Sequence, residues 1–388
     1  MAFNYNGIVK SVVAEGLEGK VIMVYGGNNL GKTFQSTKFP KSLTLPFEPK
    51  ALNAIGDANV LPVHTFADFK NFTESVYKDK IAYEKTSDKL ATSKLALEAK
   101  PDDKELIEKV EKLQAKVDKS PYVQFKGDVK TIIVDSLTAL GKSAEKFACD
   151  EDNIAELYDT ESGHAYTRFE NDFYHTFNKF LNLGDFTYLI LAHEELKDTG
   201  RKDEDDNKIF QAYPKGNYKR VVKPVVDVCD IIVYLKSNGV DEETKLPKKS
   251  SGIMVECDLC FARTKWTNMD VYLPEYTAKN LEDTINKAIK EQQANGVTVT
   301  SHRKQQEEYV KTLTVSHEDL IEQIGELATM IYAYDDEDID GENMIAYSEI
   351  VQEHLGDKKV SEATSRQVAP LKVILSKVQD LVEEREIK

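Results

Sequence analysis

Residues 21–33 read VIMVYGGNNLGKT: five apolar residues without a break, then glycines and asparagines that close on Gly-Lys-Thr. An unbroken apolar run of this length suits a strand buried on both faces. Glycines directly behind it let the backbone curl until successive N–H groups converge on one point. Gly26 to Thr33, GGNNLGKT, fits the spacing G-x-x-x-x-G-K-[ST]. In that pattern the backbone cradles a phosphate, the lysine reaches the outer phosphates and the threonine hydroxyl ligates Mg²⁺. Gly26, Gly27, Asn28, Asn29, Leu30, Gly31, Lys32 and Thr33 are therefore the expected binding loop, for ATP with Mg²⁺.

A strand–loop–helix of this kind implies a sheet around it. Further short apolar runs occur at 43–47 (LTLPF), 60–64 (VLPVH), 131–135 (TIIVD), 188–192 (YLILA), 231–235 (IIVYL) and 252–259 (GIMVECDL), with helix-like segments between several of them. Strands alternating with helices predict an α/β fold with a mainly parallel sheet. Residues 1–296 form the expected core. Residues 77–120, rich in Lys, Glu, Ala and Leu and broken once at KPDDKE, predict an inserted helical hairpin with a solvated charged face.

Charge separates the rest. Residues 297–388 hold 20 Asp plus Glu against 10 Lys plus Arg, so −10 of the net −16 lies there. After a polar linker at 291–306, three segments with apolar residues at helical spacing predict a small acidic C-terminal helical domain, available to a protein partner. Its run Asp336, Asp338, Asp340, Gly341 begins like a calcium loop, but the twelfth position is Tyr347 and not glutamate, so an acidic inter-helix loop is expected. The four cysteines include one CxxC, Cys257 and Cys260, within a strand-like run that predicts core thiols. No segment has the length and apolarity of a membrane span or the layout of a signal peptide, so a cytoplasmic protein is expected.

Two strand ends supply partners for the loop. Asp135 closes TIIVD at the edge where ligands gather in open α/β sheets, and with Thr33 it would hold Mg²⁺. Glu48 ends the strand after the loop's helix and is a candidate base for activating water. His193 closes YLILAH, where a sensor of the terminal phosphate would stand.

These residues carry a resemblance. TIIVDSLTAL resembles the Walker B segment of RecA-type recombinases, and LTLPFE is similar to the strand of that family that ends on its catalytic glutamate, with Pro46 where an aspartate is usual. Motif order and the AHEE after the fourth strand resemble the compact RecA-like ATPases of bacteriophages, the Sak-type annealing ATPases. The likeness covers about residues 8–292. It implies a RecA-like core, a homo-oligomeric ring or filament, and a flexible DNA-binding loop after the sensor strand. The segment 207–226 fits such a loop. It has five Lys or Arg, no acid, and interleaved aromatics, a composition that suits single-stranded nucleic acid. Lys208, Phe210, Tyr213, Lys215, Tyr218, Lys219 and Arg220 are the expected DNA contacts. The resemblance further implies a cation donated to the neighbouring subunit's γ-phosphate, from Lys219, Arg220, Lys223, Arg263 or Lys265, with Arg263 and Lys265 on the ARTKW run expected to serve in catalysis. The expected activity is an ATP-dependent, single-strand-binding recombination protein that anneals or exchanges strands. The alternatives are a helicase or helicase loader, or a nucleotide-controlled adaptor that binds no DNA.

Overall fold

The computed structural model describes residues 11–305 and 317–387, apart from 49, 51, 54, 160–162, 203, 365–366 and 386. The described residues fall in two compact units, one of them Val13–His302 and the other containing Arg303–Lys388.

In the larger unit the chain runs β1 (Val13–Ala14), β2 (Val21–Gly26), α1 (Lys32–Ser36), β3 (Ser42–Pro46), α2 (Phe66–Ala99), α3 (Lys104–Asp118), α4 (Pro121–Asp128), β4 (Thr131–Asp135), α5 (Leu137–Asp152) and α6 (His164–Leu181). It continues through β5 (Thr187–Lys202), β6 (Lys208–Pro214), a turn of π-helix at Tyr218–Val222, α7 (Lys223–Val228), β7 (Ile231–Lys236), β8 (Ser251–Ile253), β9 (Arg263–Thr264), β10 (Tyr272–Leu273), α8 (Ala278–Ala294) and β11 (Val299–Thr300). The fold is α/β. Strands β3, β4, β5, β2 and β7 lie side by side and all parallel, as the unbroken apolar runs require, and β8, β9 and β10 add antiparallel pieces at the β7 side. Both faces of this sheet are covered: α2, α5 and α6 supply an aromatic-rich layer on one, and α8 with Leu273 and Tyr276 closes the other.

The helical insertion is present, and its boundary differs from the expected one. α2 begins at Phe66 with a capping box between Thr65 and Asp68, buries Phe66 and Phe69 in the core, and passes without a break beyond residue 77. Asp103 caps α3 through the N–H groups of Glu105 and Leu106, so the KPDDKE break is the hairpin's turn.

Three runs depart from expectation. Residues 60–64 contribute only a bridge from Val60 to Thr44, because Pro62 lacks an N–H for a ladder. The run 252–259 leaves the sheet after Ile253. Cys257 and Cys260 then exchange backbone N–H···O bonds of 3.1 and 3.2 Å in a tight turn, where Cys260 is buried but Cys257 is exposed, so only one is a core thiol. The linker at 291–306 is structured over its described part: α8 reaches Ala294, and β11 pairs with β1. Residue 306 lies outside the described residues.

The smaller unit contains α9 (His317–Tyr334), α10 (Glu342–Leu355) and α11 (Val368–Glu384), packed on Leu320, Ile324, Ile331, Leu355, Leu371 and Ile374. The acidic run is an inter-helix loop. Asp335 reaches forward to accept the N–H groups of Asn343 and Met344 at 3.0 and 2.9 Å, which satisfies the first turn of α10 and favours a negative charge there. Tyr347 lies within α10, half-buried.

Candidate functional site

The C-terminal ends of the parallel strands form one row. Register sets it: Gly26 of β2 stands beside His193 of β5, and Pro46 of β3 beside Asp135 of β4, which is itself beside Leu191 of β5. Glu48, Asp135, His193 and Gly26 thus share one edge of the sheet.

The loop after β2 needs its glycines. Gly26 has φ +153°, and a Cβ there would stand 2.7 Å from the Leu235 carbonyl oxygen; a Cβ on Gly27 would stand 3.0 Å from Oε1 of Glu194. Asn29 takes a left-handed φ of 61°, which asparagine tolerates, and Leu30 is fixed by the Ser250 hydroxyl donating to its carbonyl. Lys32 folds back, donating from Nζ to the carbonyl oxygens of Gly26 (2.9 Å) and Gly27 (2.6 Å). Burial holds its pKa below the ordinary lysine value against the pull of Asp135, Glu194 and Glu48.

The Thr33 hydroxyl donates to Oδ2 of Asp135 at 2.8 Å. Asp135 is 5% exposed, and burial raises its carboxyl pKa while Thr33 and Lys32 oppose the rise. A buried carboxylate next to a hydroxyl offers two hard oxygens at the foot of the phosphate cradle. That donor set fits Mg²⁺, which takes one or two protein oxygens and completes its shell with phosphate and water. Among the described residues no group of three or more His, Cys, Asp or Glu side chains is placed to hold a metal ion by itself.

Glu48 is the centre of a second network. Its Oε1 accepts from the Ser136 hydroxyl at 2.6 Å and lies 2.9 Å from Nε2 of His193. The hydrogen bond from His193, above all, holds the Glu48 carboxyl down to about 2, with Ser136 and Lys32 adding to it and burial opposing. Thr138, in the first turn of α5, was not singled out in the sequence. Its Oγ1 accepts the His193 N–H at 3.3 Å and donates to the Lys215 carbonyl at 3.0 Å.

The segment after His193 is not the expected flexible loop. β5 runs on past the parallel sheet to Lys202 and turns back as β6, an antiparallel hairpin paired from Glu194 opposite Pro214 to Lys202 opposite Lys208. The Tyr25 hydroxyl, on the loop's own strand, lies 2.9 Å from the Ala212 carbonyl oxygen and fastens the hairpin's base.

The seven residues expected on DNA divide accordingly. Lys208 pairs with Asp198 at 2.7 Å. Tyr213 lies flat against Phe261, ring centroids 5.1 Å apart, so that face is closed to a base. Arg220 lies over the Tyr166 ring at 4.4 Å, with Glu170 at 3.6 Å. Lys215 sits at the rim of the nucleotide cleft, whose other lining residues include Gly26, Gly27, Asn28, His193 and Glu194. Phe210 (51% exposed), Tyr218 (41%) and Lys219 remain open to solvent. Lys197, a cation outside the expected segment, sits 3.9 Å from the Tyr218 ring centroid and 5.1 Å from that of Tyr213.

Arg263 and Lys265, expected to serve a neighbouring subunit's γ-phosphate, lie away from the phosphate loop of their own subunit. β9 runs antiparallel to β7 and pairs Arg263 with Ile232, at the start of β7, whereas Gly26 pairs with Leu235 at its end. Both cations therefore stand at the sheet edge opposite the phosphate loop. The Arg263 guanidinium donates to the carbonyls of Val226, Asp227 and Cys229 at the end of α7, and Lys265 pairs with Asp230 at 2.8 Å.

Comparison with known proteins agrees with this geometry. The family model described as an AAA domain matches residues 18–266. A protein of Bacillus subtilis (strain 168), named SPbeta prophage-derived uncharacterized protein YorG, is 35% identical over 377 residues, spanning 96% of this chain and 97% of that one. A solved ATPase from the type III secretion system of pathogenic bacteria aligns with 96% of this chain and 88% of its own at 10% identity, but with a TM-score of 0.27 the likeness carries no argument.

Proposed function

The chain belongs to the AAA-domain family of P-loop ATPases, and from that premise we propose that it hydrolyses ATP with Mg²⁺ to control a grip on single-stranded DNA by the β5–β6 hairpin. One observation carries the reading: both feet of the hairpin stand on the nucleotide site. His193, where β5 leaves the sheet, is bonded to Glu48, and Lys215, just beyond β6, donates its N–H to the His193 carbonyl at 2.8 Å. Movement at the phosphate end of the cleft is thereby carried into the hairpin through backbone hydrogen bonds.

The chemistry of the hairpin and the turn after it fits an unpaired strand. Phe210 and Tyr218 are exposed aromatics on which a base could stack, Tyr218 with Lys197 against its ring, while Lys219 can follow the phosphates. In the reading we favour, the protein is phage-encoded, assembles as a ring or filament in the host cytoplasm, and anneals or exchanges strands of DNA. Its prophage-derived relative supports the origin. The acidic helical unit would dock a protein partner and not DNA, because its surplus of carboxylates repels phosphates.

The test is equilibrium binding of a labelled oligodeoxythymidine across a range of salt. Phe210→Ala and Tyr218→Ala should each weaken binding by about 1–3 kcal/mol, the worth of one stacked base. Lys219→Ala should lower the slope of log K against log salt by about 0.7. Binding that ignores salt and all three substitutions would remove DNA from the reading and favour the protein-recruiting adaptor.

A further inference from the structure

We propose that Lys215 is a γ-phosphate contact of its own subunit's nucleotide site, a cation supplied in cis by the foot of the hairpin. The proposal rests on the nucleotide reading of the loop and assigns to the site a residue that composition alone had placed on DNA.

Three observations converge on it. First, position: Lys215 lines the same cleft as Gly26, Gly27, Asn28, His193 and Glu194, a space of about 410 Å³. It stands on the side of His193, next to the Glu48 network, and so on the side where a terminal phosphate would meet those groups. Second, anchorage: the Lys215 backbone is held at both ends. Its N–H donates to the His193 carbonyl at 2.8 Å, its carbonyl accepts from Thr138 at 3.0 Å, and Thr138 is itself bonded to the His193 N–H. Such double fixation by strand and helix termini suits a group that must meet a ligand at a set place. Third, availability: of the other cations considered for a γ-phosphate, four are engaged, and Lys219, open to solvent, does not line the cleft. Arg220 lies against Tyr166 and Glu170, Lys223 pairs with Asp227 at 2.6 Å, and Arg263 and Lys265 serve the far edge of the sheet. Among the described residues no carboxylate is within ion-pairing distance of Lys215.

Charge gives the reason for a second cation. Glu194 lines the cleft, and Glu48, Asp135 and Glu194 all lie near enough to Lys32 to act on its charge. A triphosphate brings more negative charge to the same place, so a further lysine on the hydrolytic side would stabilise both the bound γ-phosphate and the charge that develops as it leaves. It would also explain how nucleotide state reaches the hairpin: a lysine held by the γ-phosphate fixes the foot of β6, and loss of that phosphate frees it.

The experiment compares the affinities of the full chain for ADP and for a non-hydrolysable ATP analogue, each with Mg²⁺ and without DNA, by fluorescence of a labelled nucleotide. Lys215→Ala and Lys215→Gln should leave ADP affinity within about twofold and weaken the triphosphate analogue about tenfold or more, as expected for a lost charge-assisted bond. Lys215→Arg should recover part of the loss. An unchanged preference for triphosphate over ADP in both neutral variants overturns the proposal, and a fall in nucleotide-free DNA affinity with a shallower salt slope would return Lys215 to the DNA surface. Lys32→Ala separates the two layers: if it too leaves both nucleotide affinities intact, the fault lies with the nucleotide site and not with Lys215.

Discussion

Glu48→Gln is expected to reduce ATP turnover by about 10²–10⁴-fold while nucleotide affinity stays close to that of the parent. The substitution is isosteric and leaves the phosphate loop, Thr33 and Asp135 untouched, so the ground state should bind as before. What it removes is the carboxylate that accepts from Ser136 and His193. A carboxyl held down to about 2 is a feeble proton acceptor, so the loss should come from misaligned water more than from a missing proton sink. The sign of the pH effect follows. Because the folded value lies below the ordinary one, Glu48 is ionised throughout pH 5–8 and places no acid limb there; any stability it confers is present above its unfolded value and fades as pH falls towards 2. His193→Ala removes the largest cause of the depression, so an acid limb should rise towards the usual carboxylate range. The pH dependence of kcat/KM in parent and variants checks both statements. A Glu48→Gln protein with more than a tenth of parental turnover would contradict the assignment.

Phe173→Ala is expected to cost about 3–5 kcal/mol of unfolding free energy, the range for truncating a buried phenylalanine. Phe173 is fully buried on α6. Its ring stacks on Phe177 at 5.7 Å and 10°, and on Phe66 of α2 at 6.3 Å and 20°. Truncation leaves a cavity in a close-packed aromatic layer, and the layer over β4 and β5 loosens. The effect should extend to function, because α6 also carries Glu170 and contributes Tyr166, the two partners of Arg220 at the root of the hairpin's return. Denaturant unfolding measures the cost, and a loss under 1 kcal/mol would mean that the aromatic layer does not hold α6 as described.

The row Glu48, Asp135, His193 and Gly26 was legible in the sequence because each closes an apolar run, and a parallel sheet puts such ends together whatever the connections between them. The hairpin was not, for a physical reason. Beyond His193 the chain reads EELKDTGRK, polar on both faces, and a strand pair standing out from the sheet has no apolar stripe to announce it. The turn signal was present in Asp205, Asp206 and Asn207, and Asp206 does adopt a positive φ of 65°. Without the hairpin, Lys215 could be read only by its charge, and Thr138 had no signal at all, since its role depends on two carbonyl and amide groups distant in sequence. Nor does composition carry strand direction: the antiparallel run of β9 brings Arg263 and Lys265 to the edge of the sheet away from their own subunit's phosphate loop.

The most direct test of the account is steady-state ATP hydrolysis with and without single-stranded DNA, with Lys32→Ala as the baseline. The account predicts a rate that depends on Lys32, rises several-fold with DNA, and loses that rise in the Phe210→Ala, Tyr218→Ala double variant. A rate that depends on Lys32 yet is the same with and without DNA would contradict it, leaving an ATPase whose hairpin serves some other partner.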